Sequence, residues 1–120
     1  MAARHYRELI VWQKSMMVTK HVYSLVKKLP KEETYGLSDH MRRAAVSIPS
    51  NIAEGNARSS TNEYMHFLSI ANGSKAELET QLLLCIEIGY LTEQEITEVW
   101  GLLQEVGKML HVLMKSLRHP

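Results

Sequence analysis

In the stretch "EYMH", Glu63 and His66 lie three residues apart. On a helix that spacing puts a carboxylate and an imidazole on one face, one turn apart, as in bundles that hold a di-metal centre. Such a centre needs a second Glu-x-x-His pair and a glutamate from each of two further helices. The residues three before His21, His40 and His111 are Val18, Leu37 and Lys108, and Glu8 is the sole carboxylate among residues 1–31. The second pair is missing, so neither a metal nor another cofactor is expected.

Cys85 is the single cysteine, which excludes an intramolecular disulfide and a cysteine-rich zinc site. Its register puts it on the inward side of a helical segment, where it reads as a small buried hydrophobe. A nucleophilic thiol needs a neighbouring base and an electropositive setting, and the sequence supplies neither. No glycine-rich phosphate loop and no nucleophile elbow occur. No residue is assigned as catalytic, and the chain is not expected to be an enzyme.

A third constellation holds more. In "RRAAVSIPSNIAEGNAR", Arg43, Ser47, Ser50, Glu54 and Arg58 step by 4, 3, 4 and 4 and share one helical face, with Asn51 beside them. A solvent face with a Glu54–Arg58 pair would look like this, and such a pair stabilises a helix by about 0.3–0.5 kcal/mol. Serine and asparagine are poor helix-interior residues, however, because their side chains compete for the backbone. The mismatch leaves three readings open: a structural face, a subunit contact or a nucleic-acid contact. Trp12, Trp100 and Tyr90 have the rings to stack on bases, but their positions fit core or interface packing. The six histidines are scattered over solvated or interface positions.

Four helical segments must position these residues. The first runs from about Tyr6 to Leu29 and stops at Pro30. Its positions Leu9, Trp12, Met16, Thr19, Tyr23 and Val26 step by 3, 4, 3, 4 and 3, a heptad seam expected to face the core. Val11, Val18, Val22 and Leu25 form a second stripe. A bundle helix needs one buried stripe, so the second is expected to meet another subunit.

The second segment runs from about Leu37 to Asn56, with Leu37, Met41, Ala44, Ile48 and Ile52 inward and Gly55 suited to a C-terminal cap. Pro49 interrupts it, at a cost of about 3 kcal/mol or more for a helix interior. The apolar register continues from Ile48 to Ile52, so a kinked but continuous helix is expected. The Ala45 carbonyl then loses its donor, and Ser47, Ser50 or water would help satisfy the exposed groups.

The third segment opens at Ser60, which has capping-box spacing with Glu63, and ends at Gly89. Tyr64, Phe67, Ala71, Ser74, Leu78, Leu82 and Cys85 line its inner side. Gly73, within the small-residue run "SIANGSKA", costs roughly 1 kcal/mol against alanine and suggests close approach of another backbone. The fourth segment has a Thr92/Glu95 capping box. Ile96, Val99, Leu103, Val106, Leu110, Leu113 and Leu117 then step by 3 and 4 without a miss. Glu93 and Glu95 begin it, and Lys115 and Arg118 end it, as the helix dipole prefers. Short connections between four helices imply one all-α domain over residues 1–120, an antiparallel up-down-up-down four-helix bundle.

The net charge of +1 is unevenly spread. Residues 1–31 hold Arg4, Arg7, Lys14, Lys20, Lys27, Lys28 and Lys31 against Glu8, while residues 32–120 hold seven cations against twelve carboxylates. The first helix is thus expected to carry the positive field, a pattern that suggests a partner. The apolar runs of the N-terminal stretch are broken by Arg7, Glu8, Gln13 and Lys14, which fits neither a signal peptide nor a membrane span. With one unpaired cysteine, this points to the cytoplasm and away from a membrane.

"LSDHMRRAAVSIPSNIAEGNAR", followed by "EYMHFLSIANGSKAELETQLLLCIEIGYL", resembles the four-helix-bundle family of 23S rRNA intervening-sequence proteins. That family also includes the accessory variability protein of diversity-generating retroelements. The likeness runs from "LIVWQKS" to the fourth helix. It implies a bundle that assembles into a homopentameric ring or barrel in a bacterial setting, with retroelement members acting as basic nucleic-acid-binding partners of a reverse transcriptase. The family pattern marks Arg42, Arg43, Ser47, Pro49, Asn51, Glu54, Gly55, Arg58, Gly73, Ser74, Glu77 and Glu79, none of them as catalytic. The retroelement members are strongly basic; this chain is close to neutral.

Charge pattern and resemblance together lead to one expectation: a non-catalytic homo-oligomeric accessory protein that contacts RNA or DNA through cationic surfaces of helices 1 and 2. The candidate contacts are Lys14, Lys20, Lys27, Lys28, Arg42, Arg43, Asn51 and Arg58. The candidate oligomer interface is Val11, Val18, Val22 and Leu25. The alternative is a protein–protein scaffold that binds a partner such as a polymerase or reverse transcriptase without touching nucleic acid.

Overall fold

The computed structural model describes residues 5–119. Its helices are α1 (Ile10–Val26), α2 (Leu37–Asn56), α3 (Thr61–Ile88) and α4 (Glu93–Arg118), with short 3-10 turns at Tyr6–Glu8 and Lys31–Glu33. Each helix packs on two neighbours, α1 and α3 both meeting α2 and α4, while the diagonal pairs stay apart. Ion pairs to α4 from α1 and from the turn that follows it run in opposite sequence directions, Lys14 with Glu105 and Lys28 with Glu95, so these helices are antiparallel. The bundle measures 48 × 24 × 20 Å. No strand is present among the described residues.

α1 is shorter than its periodicity predicts. Leu9 is extended and separates the Tyr6–Glu8 turn from the helix. At the other end, Lys28 N–H donates to Leu25 O and Leu29 N–H to Val26 O, tightening the chain ahead of Pro30. A residue before proline is steered away from the α region.

The stripe of α1 expected outside turns inward, while the expected seam is split, with Val26 in the core, Leu9 and Trp12 packed against it, and only its middle turned out. Val11, Val18, Val22 and Leu25, expected at a subunit interface, are 5%, 0%, 0% and 7% exposed and belong to the chain's own core. They are therefore not available as an outer stripe. Met16 and Tyr23, expected inside, are 41% and 45% exposed. Polar residues decide the rotation. Lys14 and Lys28 face carboxylates of α4 on one flank, Thr19 faces α2 on the other, and the valine stripe lies between them.

α2 runs unbroken through Pro49, which is buried. The missing proline N–H frees Ala45 O, and the Thr19 hydroxyl reaches it from α1 at 3.1 Å. The same hydroxyl lies 2.9 Å from Ser15 O in its own helix, so one proton serves two carbonyls. Ser47 and Ser50 do not fill this role: Ser47 bonds across to α3, and Ser50 is exposed. Gly55 is not a cap either. It is buried in the last turn, where a Cβ would sit 2.9 Å from Phe67 Cβ and 3.2 Å from Tyr64 O, so glycine sets how closely α2 meets α3.

α3 starts at Ser60, whose hydroxyl accepts from Glu63 N–H. The reciprocal half of the capping box is absent, because the Glu63 carboxylate turns to Arg58 at 3.6 Å. Gly89 ends the helix with φ 95°, a left-handed conformation that glycine adopts without a Cβ penalty. α4 has the full box: Thr92 Oγ1 accepts from Glu95 N–H at 3.1 Å, and Glu95 Oε1 accepts from Thr92 N–H at 2.9 Å. Ile96, Val99, Leu103, Val106 and Leu110 are buried, with Leu113 and Leu117 at the margin.

Candidate nucleic-acid interface

The eight candidate contacts do not form one free cationic face. Lys14 Nζ lies 2.7 Å from Glu105, and Lys28 Nζ lies 2.7 Å from Glu95. Between them, His21 approaches Glu98 at 3.5 Å. The cations on this flank of α1 are matched by carboxylates of α4. Arg42 donates to Thr34 O at 3.2 Å, and both Arg42 and Arg43 reach towards Asp39, at 4.0 and 3.8 Å. Arg58 is held by Glu54 at 2.9 Å and by Glu63, with its guanidinium 4.8 Å above the Phe67 ring. Asn51 donates to the backbone and hydroxyl oxygens of Ser47, at 2.8 and 2.9 Å.

Lys20 and Lys27 remain exposed on the outside of α1, with no carboxylate within 4 Å among the described residues. Arg43 remains 79% exposed along its side chain. Tyr23 and Val46, at 45% and 40% exposure, stand beside them. Tyr23, Asp39, Arg42, Arg43, Val46 and Ser47 line a hollow of about 360 Å³ between α1 and α2. Cations, an aromatic ring and an aliphatic side chain thus share the outer α1–α2 ridge. Arg4 lies outside the described residues.

The polar residues of α2 divide by neighbour. Ser47 and Ser74 hydroxyls meet at 2.7 Å across the α2–α3 seam. His40, Arg43, Ala44, Ser47, Ser74 and Glu77 line a shallow hollow of about 350 Å³ over it. Deeper in α3, Gln81 Oε1 is buried with no hydrogen-bond partner.

The other chemistry-bearing residues are engaged structurally. Cys85 is fully buried, with Sγ 3.6 Å from Met41 Sδ. Burial, reinforced by the Glu33 carboxylate, pushes its pKa up to about 11, the reverse of what an active thiol needs. Glu63 faces Arg58, and His66 packs edge-on against Phe67. No group of three or more metal-ligating side chains gathers among the described residues. Trp12, Trp100 and Tyr90 are half-buried against the core. Glu33 accepts from Leu37 N–H at 3.0 Å and from the Tyr90 hydroxyl at 2.9 Å, which holds its carboxyl below the usual range. No described helix is long and apolar enough to cross a membrane.

One cationic surface was missed by counting charge along the chain. Lys108, His111 and Arg118, with Lys75, line a groove of about 740 Å³ between α3 and α4. The spacing of Lys108, His111, Lys115 and Arg118, 3, 4 and 3, was the available signal.

The sequence matches the 23S rRNA-intervening sequence protein family over residues 7–112. The chain belongs to that family. A crystal structure from Bacteroides thetaiotaomicron, described as a protein of unknown function from the S23 ribosomal protein family, superposes with a TM-score of 0.81 at 27% identity. The match covers 88% of this chain and 99% of that one. Among curated proteins, none matches the chain at a significant level.

For this 23S rRNA-intervening sequence protein, the signature positions now have physical work assigned. Ser47 and Ser74 tie α2 to α3 with Asn51 bracing Ser47 from within α2, Gly55 sets their approach, and Arg58 closes the α2–α3 corner with Glu54 and Glu63. Glu79 receives Lys75 at 2.9 Å and Gln104 at 2.8 Å, joining α3 to α4. Gly73 and Glu77 take no such part: both are exposed, and a Cβ on Gly73 would meet nothing within 4 Å.

Proposed function

We propose that this chain is a non-catalytic, self-assembling accessory protein of the cytoplasm that associates with nucleic acid. The observation that carries the reading is the outer α1–α2 ridge, where exposed Lys20, Lys27 and Arg43 flank exposed Tyr23 and Val46. Cations with an interleaved aromatic suit a polyanion whose bases also offer flat faces. Membership of an rRNA intervening-sequence family supports the same direction. Repetition of a modest cationic face in a ring, the homopentamer implied by the family resemblance, would raise avidity without any new contact. With Val11, Val18, Val22 and Leu25 in the core, exposed apolar residues away from the ridge, such as Leu84 and Ile88 of α3, are left to meet another copy.

A mobility shift with RNA and DNA at about 50 mM salt tests the reading, with binding expected to weaken steeply as salt rises. Absence of any shift would overturn it. Light scattering is expected to report an oligomer, and a strictly monomeric species removes the assembly.

The scaffold reading has its own support. Lys14, Lys28, Arg42, Arg43 and Arg58 each have a carboxylate within 4 Å, which leaves a weaker positive field than the sequence suggests. R42E/R43E separates the two readings. Lost nucleic-acid binding with the oligomer intact favours direct contact, while a parent oligomer that binds no nucleic acid favours a protein partner such as a polymerase or reverse transcriptase.

A further inference from the structure

The charges of α4 are divided along its length. Residues 93–105 contain Glu93, Glu95, Glu98 and Glu105 and no cation, while residues 106–118 contain Lys108, His111, Lys115 and Arg118 and no carboxylate. The first half is matched by α1, through Glu105 with Lys14 and Glu95 with Lys28. The second half has no such partner. Among the described residues, no carboxylate lies within 4 Å of Lys108, Lys115 or Arg118. Glu79, on the facing helix, is occupied by Lys75 and Gln104.

The helix dipole favours cations near a C-terminus, but its influence falls off within the last turn. That accounts for Lys115 and Arg118 and leaves Lys108 and His111, which lie further back, without a local reason. Their 3, 4, 3 spacing puts all four on one face, about 15 Å long at 1.5 Å per residue. The face borders the groove between α3 and α4, where the side-chain amides of Asn72 and Gln104 add donors. Gly107 shapes the floor. A Cβ there would lie 2.6 Å from Lys75 Cε, so glycine lets the Lys75 stem cross α4.

We propose that this groove is a track for single-stranded polynucleotide, held by phosphate contacts from Lys108 and Arg118, which line it, and from Lys115, exposed on the same face of α4 beside it. The inference rests on the nucleic-acid reading above and names a surface that reading does not use. The cations follow a single groove, which suits the one backbone of a single strand tracked along a positively charged channel. The contacts are to the backbone, so the track is tolerant of sequence.

The test is fluorescence anisotropy with labelled oligonucleotides of mixed sequence, RNA and DNA measured separately, over about 50–200 mM salt. Three phosphates neutralised on a single strand contribute roughly 2 to the slope of log affinity against log salt. K108A/K115A/R118A is expected to weaken binding at least tenfold at low salt (~10-fold) and to flatten that slope by about 2. The charge-preserving K108R/K115R/R118K is expected to bind as the parent does. K20A/K27A/R43A on the opposite flank is expected to leave the α3–α4 contribution to the slope in place. A K108A/K115A/R118A variant that binds with the parent's affinity and slope overturns this inference alone. Tighter binding to a duplex than to either single strand also overturns it. A parent protein that binds no nucleic acid overturns the proposed function, and this inference with it. Circular dichroism checks that the variants keep their helices.

Discussion

The α2–α3 and α1–α4 seams hold the same bundle by different means. Between α1 and α4, aliphatic side chains fill the interior and an ion-pair flank closes the edge: Val18 and Val22 inside with Leu103 and Val106, Lys14–Glu105 and Lys28–Glu95 outside. Between α2 and α3, small and polar residues reach into the contact: Ser47, braced by Asn51 of its own helix, on Ser74, and Gly55 against Phe67 and Tyr64. The first seam relies on buried area, which is non-directional and tolerates exchange of similar side chains. The second relies on close approach and directed hydrogen bonds, which fail abruptly when one partner changes. Of the positions that the family resemblance marks, Ser47, Asn51, Glu54, Gly55, Arg58 and Ser74 fall at the second.

Substitutions that treat the seams differently put this contrast to use. Leu103 is fully buried, so L103A is expected to lose about 2–5 kcal/mol in chemical denaturation, because it removes apolar contact and leaves a cavity. Its conservative partner L103M should cost under ~1.5 kcal/mol. At the other seam a single added methyl is enough. G55A is expected to cost about 1–3 kcal/mol by forcing α2 away from Tyr64 and Phe67. G73A, where a Cβ meets open space, is expected to stabilise by roughly 0.5–1 kcal/mol. Opposite shifts of these two variants in thermal melts, larger for G55A, are the check, and a harmless G55A would break the close-approach argument.

Thr19 offers a sharper test of directed bonding. T19V removes the hydroxyl that reaches Ala45 O and is expected to cost about 1–3 kcal/mol. P49A returns a backbone N–H to that carbonyl, so T19V should cost markedly less in the P49A background. A double-mutant cycle measures the coupling, and strict additivity would show that Thr19 does not serve the freed carbonyl. The half-exposed Lys14–Glu105 pair is worth less. E105Q is expected to cost about 0.2–1 kcal/mol, shrinking as salt rises.

The smallest effect is a change of pH profile at the α4 cap. Lys28 and the Thr92 N–H hold the Glu95 carboxyl below its ordinary range. A lowered folded-state pKa adds stability above the unfolded value, and that stability is lost as pH falls through the folded value. Melting temperatures followed from neutral pH into the acid range should therefore fall less steeply for E95Q than for the parent. Parallel curves would contradict the assignment.

Helix number, type and most boundaries were legible because their causes are local. Thr92 and Glu95 cap α4 through bonds within one turn, and Gly89 stops α3 by its left-handed backbone. The inward face of α4 was legible because only one apolar stripe exists there. α1 carries two stripes of similar hydrophobicity, and periodicity says nothing about which one turns inward. The candidate site was less legible. Charge counted along the chain assigned the positive field to α1, yet Lys14 and Lys28 meet glutamates about seventy to ninety residues away in sequence. The cations of α4 were hidden by the acidic half of the same helix.

Composition, capping residues and apolar spacing by themselves determined an all-α chain of four helices, without a disulfide and without the second Glu-x-x-His pair that a di-metal centre requires. Each of these follows from interactions within a few residues or from the absence of a residue type. Only the tertiary structure decided which stripe of α1 is core, that Thr19 satisfies the carbonyl freed by Pro49, and which cations keep their charge unmatched. Those outcomes depend on what a neighbouring helix presents across the contact, and neither propensity nor spacing in one segment contains that information.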